Sequence, residues 1–141
     1  MSKVFRKVKK NSNGLFGPTS NNNFYKPVFY HNKTAKGNKH KSKWIIKQNE
    51  QYCTFELSDN NLWKCNSKKG YFSIVDNGNV LLGSNDEVLG FFPETQNSTD
   101  PYHGYPVSSA EYEMSEHLLN KWLENNVIDE RIHIKILRCQ I

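Results

Sequence analysis

Apolar positions in this chain recur first at period two and later at helical spacing, and the change falls at a proline-rich stretch after residue 92. The run Trp44-Ile45-Ile46 opens the first series. In Tyr52–Leu57 the residues Cys53, Phe55 and Leu57 fall on one face at period two, which predicts a strand. Asp59-Asn60-Asn61 makes a turn, Leu62–Cys65 resumes, and Ser67–Gly70 breaks the run again. Tyr71–Val75 then leads through Asp76–Asn79 into Val80–Leu82. Asn77-Gly78 between two apolar runs is a hairpin signal, because both central residues of a type I′ turn need positive φ. A further turn, Gly83–Asp86, returns the chain through Val88–Phe92. This spacing of turns predicts an antiparallel meander of four to five strands.

The stretch Glu94–Val107 is neither periodic nor simply polar. Pro93, Pro101 and Pro106 fix φ at their own positions and push the preceding residues away from helix. A loop joining two halves is expected here. Beyond it, Ser108 and Glu111 match a capping box, with Ser115 as an alternative helix start. Leu118, Leu119, Trp122, Leu123 and Val127 then recur at helical spacing, and Asn125-Asn126 ends that helix. In Asp129–Ile141 the residues Ile132, Ile134 and Ile136 alternate as in a strand, while Ile128, Ile132 and Ile136 step by four as in a helix capped by Asp129; a second short helix is expected. The fold class is α+β: a small antiparallel meander covered on one face by a C-terminal helical segment. No internal repeat is present.

Composition alters this picture at the N-terminus. The apolar fraction of 36% lies below the roughly 45–50% usual for globular domains, and the deficit is concentrated in the first 43 residues. Residues 1–43 therefore read as a basic, turn-rich arm, and residues 44–141 as a single domain. Charge sharpens the division: residues 1–50 carry +11 and residues 51–141 carry −6, within a formal net charge of +5. A basic arm on an acidic body implies a polyanionic partner for the arm, or contact between the two. The plainer account is a solvated tail.

Cys53, Cys65 and Cys139 are odd in number and form no CxxC pair, so no disulfide framework is expected. The basic start MSKVFRKVKK lacks the apolar run of a signal peptide, and no segment approaches 18 consecutive apolar residues. A cytoplasmic protein without a membrane partner is expected, with the sequons at Asn32 and Asn97 bare.

Candidate chemistry falls into two places. In the arm, Lys33, Lys36, Lys39, His40, Lys41 and Lys43 follow an aromatic island that includes Tyr25 and Tyr30. Rings flanked by lysines suit single-stranded nucleic acid, rings stacking on bases and ammonium groups meeting phosphates. The plainer account makes the rings an anchor that ties the arm to the sheet, with Pro27 holding it to an edge. In the central loop, His103 lies near Asp100 and Glu94. A metal-independent phosphodiester cut needs a base, an acid and a cation, which His103, Glu94 or Asp100, and an arm lysine could supply. Against this stands a tight Asp-Pro turn whose rings close the end of the sheet. The spacing of His31, His40, Cys53 and Cys65 fits no compact zinc pattern, and neither GxxxxGK[ST] nor GxGxxG occurs. No metal or cofactor is expected.

The first functional expectation is a nucleic-acid-binding protein acting through phosphate contacts. The alternatives are a ribonuclease-like toxin centred on His103 and a protein-interaction module that binds an acidic partner. In size and charge layout the chain is similar to small proteins of bacterial and phage conflict systems, an association that supplies no site residue.

Overall fold

The computed structural model describes residues 5–28 and 42–141. Four strands form one antiparallel sheet in chain order: β1 (Lys64–Cys65), β2 (Gly70–Ile74), β3 (Leu89–Pro93) and β4 (Tyr105–Val107). Helix α1 (Gln48–Asn60) precedes the sheet, and α2 (Glu116–Glu124) and α3 (Glu130–Leu137) follow it. The architecture is thus the expected α+β meander with C-terminal helices on one face. Its backbone is the β2–β3 ladder, paired from Gly70↔Pro93 to Ile74↔Leu89.

Alternation along these two strands sends side chains into two separate cores. Phe72, Ile74, Leu89 and Phe91 join Trp63, Val107, Leu118, Trp122, Ile132 and Ile136 beneath the C-terminal helices. Tyr71 and Phe92 face the other way and join Phe16, Tyr25, Trp44, Tyr52 and Phe55. Both faces are covered, which explains why Tyr71–Ile74 is an unbroken buried run rather than an alternation of apolar and polar residues.

The second cover is where the structure departs from expectation. Tyr52–Leu57 is not a strand but the middle of α1. Its buried positions are Gln51, Tyr52, Cys53, Thr54, Phe55, Ser58 and Asp59, whereas Leu57 is exposed. A helix can bury such polar side chains when they find nearby acceptors. Thr54 Oγ1 donates to the Glu50 carbonyl at 2.9 Å and Ser58 Oγ to that of Phe55 at 2.7 Å. The Glu50 carboxylate accepts from the Lys47 N–H at 2.8 Å and closes the first turn.

The Asn77-Gly78 turn has the expected positive φ, 55° and 81°, but makes a short 3-10 turn over Asp76–Gly78 rather than a hairpin. The reason lies in its side chain. Asn77 Nδ2 donates to Asp129 Oδ2 and its Oδ1 accepts from the Asp129 N–H, each at 3.0 Å, tying the turn to the start of α3. Val80–Leu82 accordingly pairs with neither β2 nor β3 as a strand. Near it, Gly83 forms an isolated bridge with Trp44.

The helical expectations resolve cleanly. Ser115, not Ser108, stands at the N-cap position of α2, although its hydroxyl makes no capping hydrogen bond; Ser108 and Glu111 form only a local turn. Asp129 Oδ1 accepts from the Ile132 N–H at 2.9 Å and caps α3. Ile132 and Ile136 are buried while Ile134 is 45% exposed, so the step of four wins over alternation. Among the described residues no helix is long and apolar enough to cross a membrane.

Residues 5–28 lie against α1 and the second core. Phe16 and Tyr25 pair in an isolated antiparallel bridge, and both are buried. The Arg6 guanidinium forms a two-pronged ion pair with Glu56, and its Nη2 is 2.8 Å from Oε2. The fully buried Asp59 carboxylate accepts from the Thr19 hydroxyl and, at 2.9 Å, from Asn23 Nδ2. A buried charge needs such donors, and these pin the turn at 19–23 onto the end of α1.

Candidate nucleic-acid interface

The basic run is held at both flanks. On one side the Lys26 N–H donates to the Tyr102 carbonyl at 2.8 Å. On the other, the Lys43 N–H donates to Ser84 Oγ at 3.1 Å, and the Lys43 carbonyl accepts from the Ser84 N–H at 2.9 Å. Tyr30, Lys33, Lys36, Lys39, His40 and Lys41 lie outside the described residues. Tyr25 is within them and is fully buried. Its ring stacks 5.7 Å from Phe55 and meets Phe92 edge-on at 5.9 Å, while its hydroxyl donates to Gln51 Oε1 at 3.0 Å. Both ring faces therefore belong to the core, and burial raises the pKa of its hydroxyl.

The loop after β3 gives Asp100, Glu94 and His103 different surroundings. Asp100 is exposed and spends its Oδ2 on the Asn97 backbone N–H and side-chain amide, at 3.3 and 3.2 Å. Glu94 is exposed, and its backbone N–H donates to the Lys69 carbonyl at 3.1 Å. His103 is exposed, yet partial burial of its ring lowers its pKa below the ordinary value. Among the described residues no hydrogen bond or ion pair joins His103 to Glu94 or Asp100.

The end of the loop carries the fold instead. Tyr105–Val107, expected as loop, pairs with β3 as Leu89↔Val107, Gly90↔Pro106 and Phe91↔Tyr105. Pro106 is tolerated because β4 is the edge strand. Gly104 just before it must lack a side chain: a Cβ there would lie 2.3 Å from Phe92 Cδ1 and 2.5 Å from the Phe91 carbonyl oxygen. Its own carbonyl accepts from Trp44 Nε1 at 2.9 Å.

What the loop does form is one wall of a cleft of about 250 Å³. Glu94 and Tyr102 face Lys64, Cys65, Asn66, Lys69, Gly70 and Tyr71, contributed by β1, β2 and the turn between them. Neither His103 nor Asp100 lines it. The Tyr102 ring lies 4.9 Å from Phe55 and 5.6 Å from Tyr71. Burial, then the charges of Asp59 and Glu94, raise the Tyr102 pKa and keep its hydroxyl protonated. Burial together with the Asp59 carboxylate does the same for Tyr71. Burial pushes the Cys65 thiol up, but Ser67 Oγ at 3.2 Å and N–H groups of Lys68 and Ser115 outweigh it, and the net shift is downward. Among the described residues the single ion pair is Arg6–Glu56, so neither Lys64 nor Lys69 is engaged by a carboxylate there.

Sequence reasoning took Glu94 from this cleft and missed Lys64, Lys69 and Tyr102 as site residues. The available signal was Lys68-Lys69-Gly70, a cationic turn between two strand candidates. Cys53 and Cys65, weighed together as metal ligands, belong to cores on opposite faces of the sheet. Comparison of the chain with protein-family models, curated proteins and solved structures finds no match.

Proposed function

We propose that the protein binds a nucleic-acid strand, the lysines of the 31–43 segment meeting its phosphates. The observation that carries this is the charge layout. Lys33, Lys36, Lys39, Lys41 and Lys43 fall within thirteen residues that contain no acidic side chain. Such a run carries a large Coulomb penalty unless it meets a polyanion or solvent ions, and a strand releases its counterions on binding. The anchored flanks at Lys26 and Lys43 support the reading further, because tethering both ends reduces the entropy lost when the segment engages a partner.

The partner class is tested by fluorescence anisotropy on a labelled single strand, competed with unlabelled strand and with polyglutamate at equal charge. The proposal expects the strand to compete far better, and expects Lys33→Gln, Lys36→Gln, Lys39→Gln, Lys41→Gln and Lys43→Gln together to remove most of the binding. Equal competition by polyglutamate would assign the segment to an acidic protein partner instead.

A further inference from the structure

We propose that the cleft between the β1–β2 turn and Glu94 takes one nucleotide of the bound strand and reads its base, with guanine preferred. The inference deepens the strand-binding reading and rests on it for polymers, although the isolated nucleotide can be tested without it.

Size limits the ligand. A volume of about 250 Å³ falls just under the ~300–1,000 Å³ typical of pockets for drug-sized ligands, which suits a single base with its adjacent phosphate and nothing longer. Chemistry then divides it. Lys64 and Lys69 supply two positive charges that no carboxylate among the described residues engages, matching a phosphate. Tyr102 supplies ring surface held by contacts to Phe55 and Tyr71, a fixed platform against which a base can stack. Asn66 adds an amide with both donor and acceptor.

Glu94 decides which base. An ionised carboxylate accepts through two oxygens and donates nothing. Guanine presents two adjacent N–H donors on its Watson–Crick edge, so it alone satisfies both oxygens at once. Uracil presents one N–H between two carbonyls that repel the carboxylate, while adenine and cytosine place one amino group beside an acceptor nitrogen. The hydrogen bond from the Glu94 N–H to the Lys69 carbonyl keeps this acid beside the cationic turn. Tyr102 links the cleft to the basic segment, because its carbonyl also accepts from Lys26, five residues before His31.

The test is a ¹⁵N–¹H titration of the full chain with guanosine 5′-monophosphate, and with uridine 5′-monophosphate for comparison. The guanine nucleotide is expected to move the amides of Asn66, Gly70 and Tyr102 and to bind about tenfold tighter than the uracil nucleotide, the scale of one bidentate base contact. Glu94→Gln, at an exposed position, should fold normally and erase that difference. Lys64→Gln with Lys69→Gln should weaken both nucleotides alike. The inference is overturned if guanosine monophosphate moves no cleft amide, or if Glu94→Gln keeps the full preference. Strand binding is measured beside it. Salt-dependent strand binding whose base preference survives Glu94→Gln removes the cleft alone. Cleft binding of the nucleotide with no strand binding removes the strand reading and leaves a mononucleotide site.

Discussion

His103 shows how little a residue type reveals before its neighbours are known. In sequence it sits among Asp100, Tyr102 and Tyr105 and reads as a proton-transfer group. In the fold Asp100 contacts Asn97 and Glu94 lines a cleft that His103 does not reach, so the three residues have separate surroundings. What the structure adds is a pKa for His103 lowered by partial burial. The sign follows from linkage: as pH falls, the unfolded chain takes up this proton first, so folding loses stability. The loss begins near the ordinary histidine pKa of about 6.5 and proceeds down through the lowered folded value. His103→Asn cannot titrate there, and its stability should fall less over that interval. An NMR titration of the wild-type ring should give a midpoint below about 6.5. A midpoint at that value would mean the ring is solvated, and one above it would mean an anionic neighbour holds the charged form; either would contradict the lowering by burial.

Elements differ in how plainly the sequence announces them. The stripe of Leu118, Leu119 and Trp122 and the Asp129 cap predicted α2 and α3 because apolar burial and capping are local signals. β2 and β3 were equally readable as apolar runs between turns. Helix α1 was not, because beside Thr54 and Ser58 it buries Gln51 and Asp59, whose partners include Tyr25, Thr19 and Asn23 from 26 to 40 residues away. No window on the local sequence contains those partners. β4 was missed for a related reason: Pro106 argues against a strand until its place at the sheet edge is known. At this scale Trp122 is the sharpest probe. It is fully buried between α2 and the sheet and meets Trp63 edge-on at 5.4 Å. Trp122→Ala should cost about 3–5 kcal/mol in urea unfolding, the range for truncating a buried aromatic. A loss within about 0.5 kcal/mol would place the residue on the surface.

Across the whole molecule, one sheet separates two aromatic-rich cores, and the N-terminal residues contribute Phe16 and Tyr25 to one of them. This explains how a chain with only 36% apolar residues builds two cores: nine-residue α2 and eight-residue α3 fill one, while rings from residues 16–55 fill the other. The charge asymmetry was fully readable in the sequence, since it needs only counting. The cleft was not, since it needs Lys64 and Lys69 brought opposite Glu94 and Tyr102 by the β2–β3 register. Strand binding by the lysine-rich segment is the central claim, and the dependence of affinity on salt tests it most directly. Five phosphate contacts to a single strand predict that log K falls against log salt with a slope of about −3.5, at roughly −0.7 per contact. Replacing Lys33, Lys36, Lys39, Lys41 and Lys43 with Gln should remove most of that slope. A wild-type slope near zero, or one that the five substitutions leave unchanged, would contradict the account.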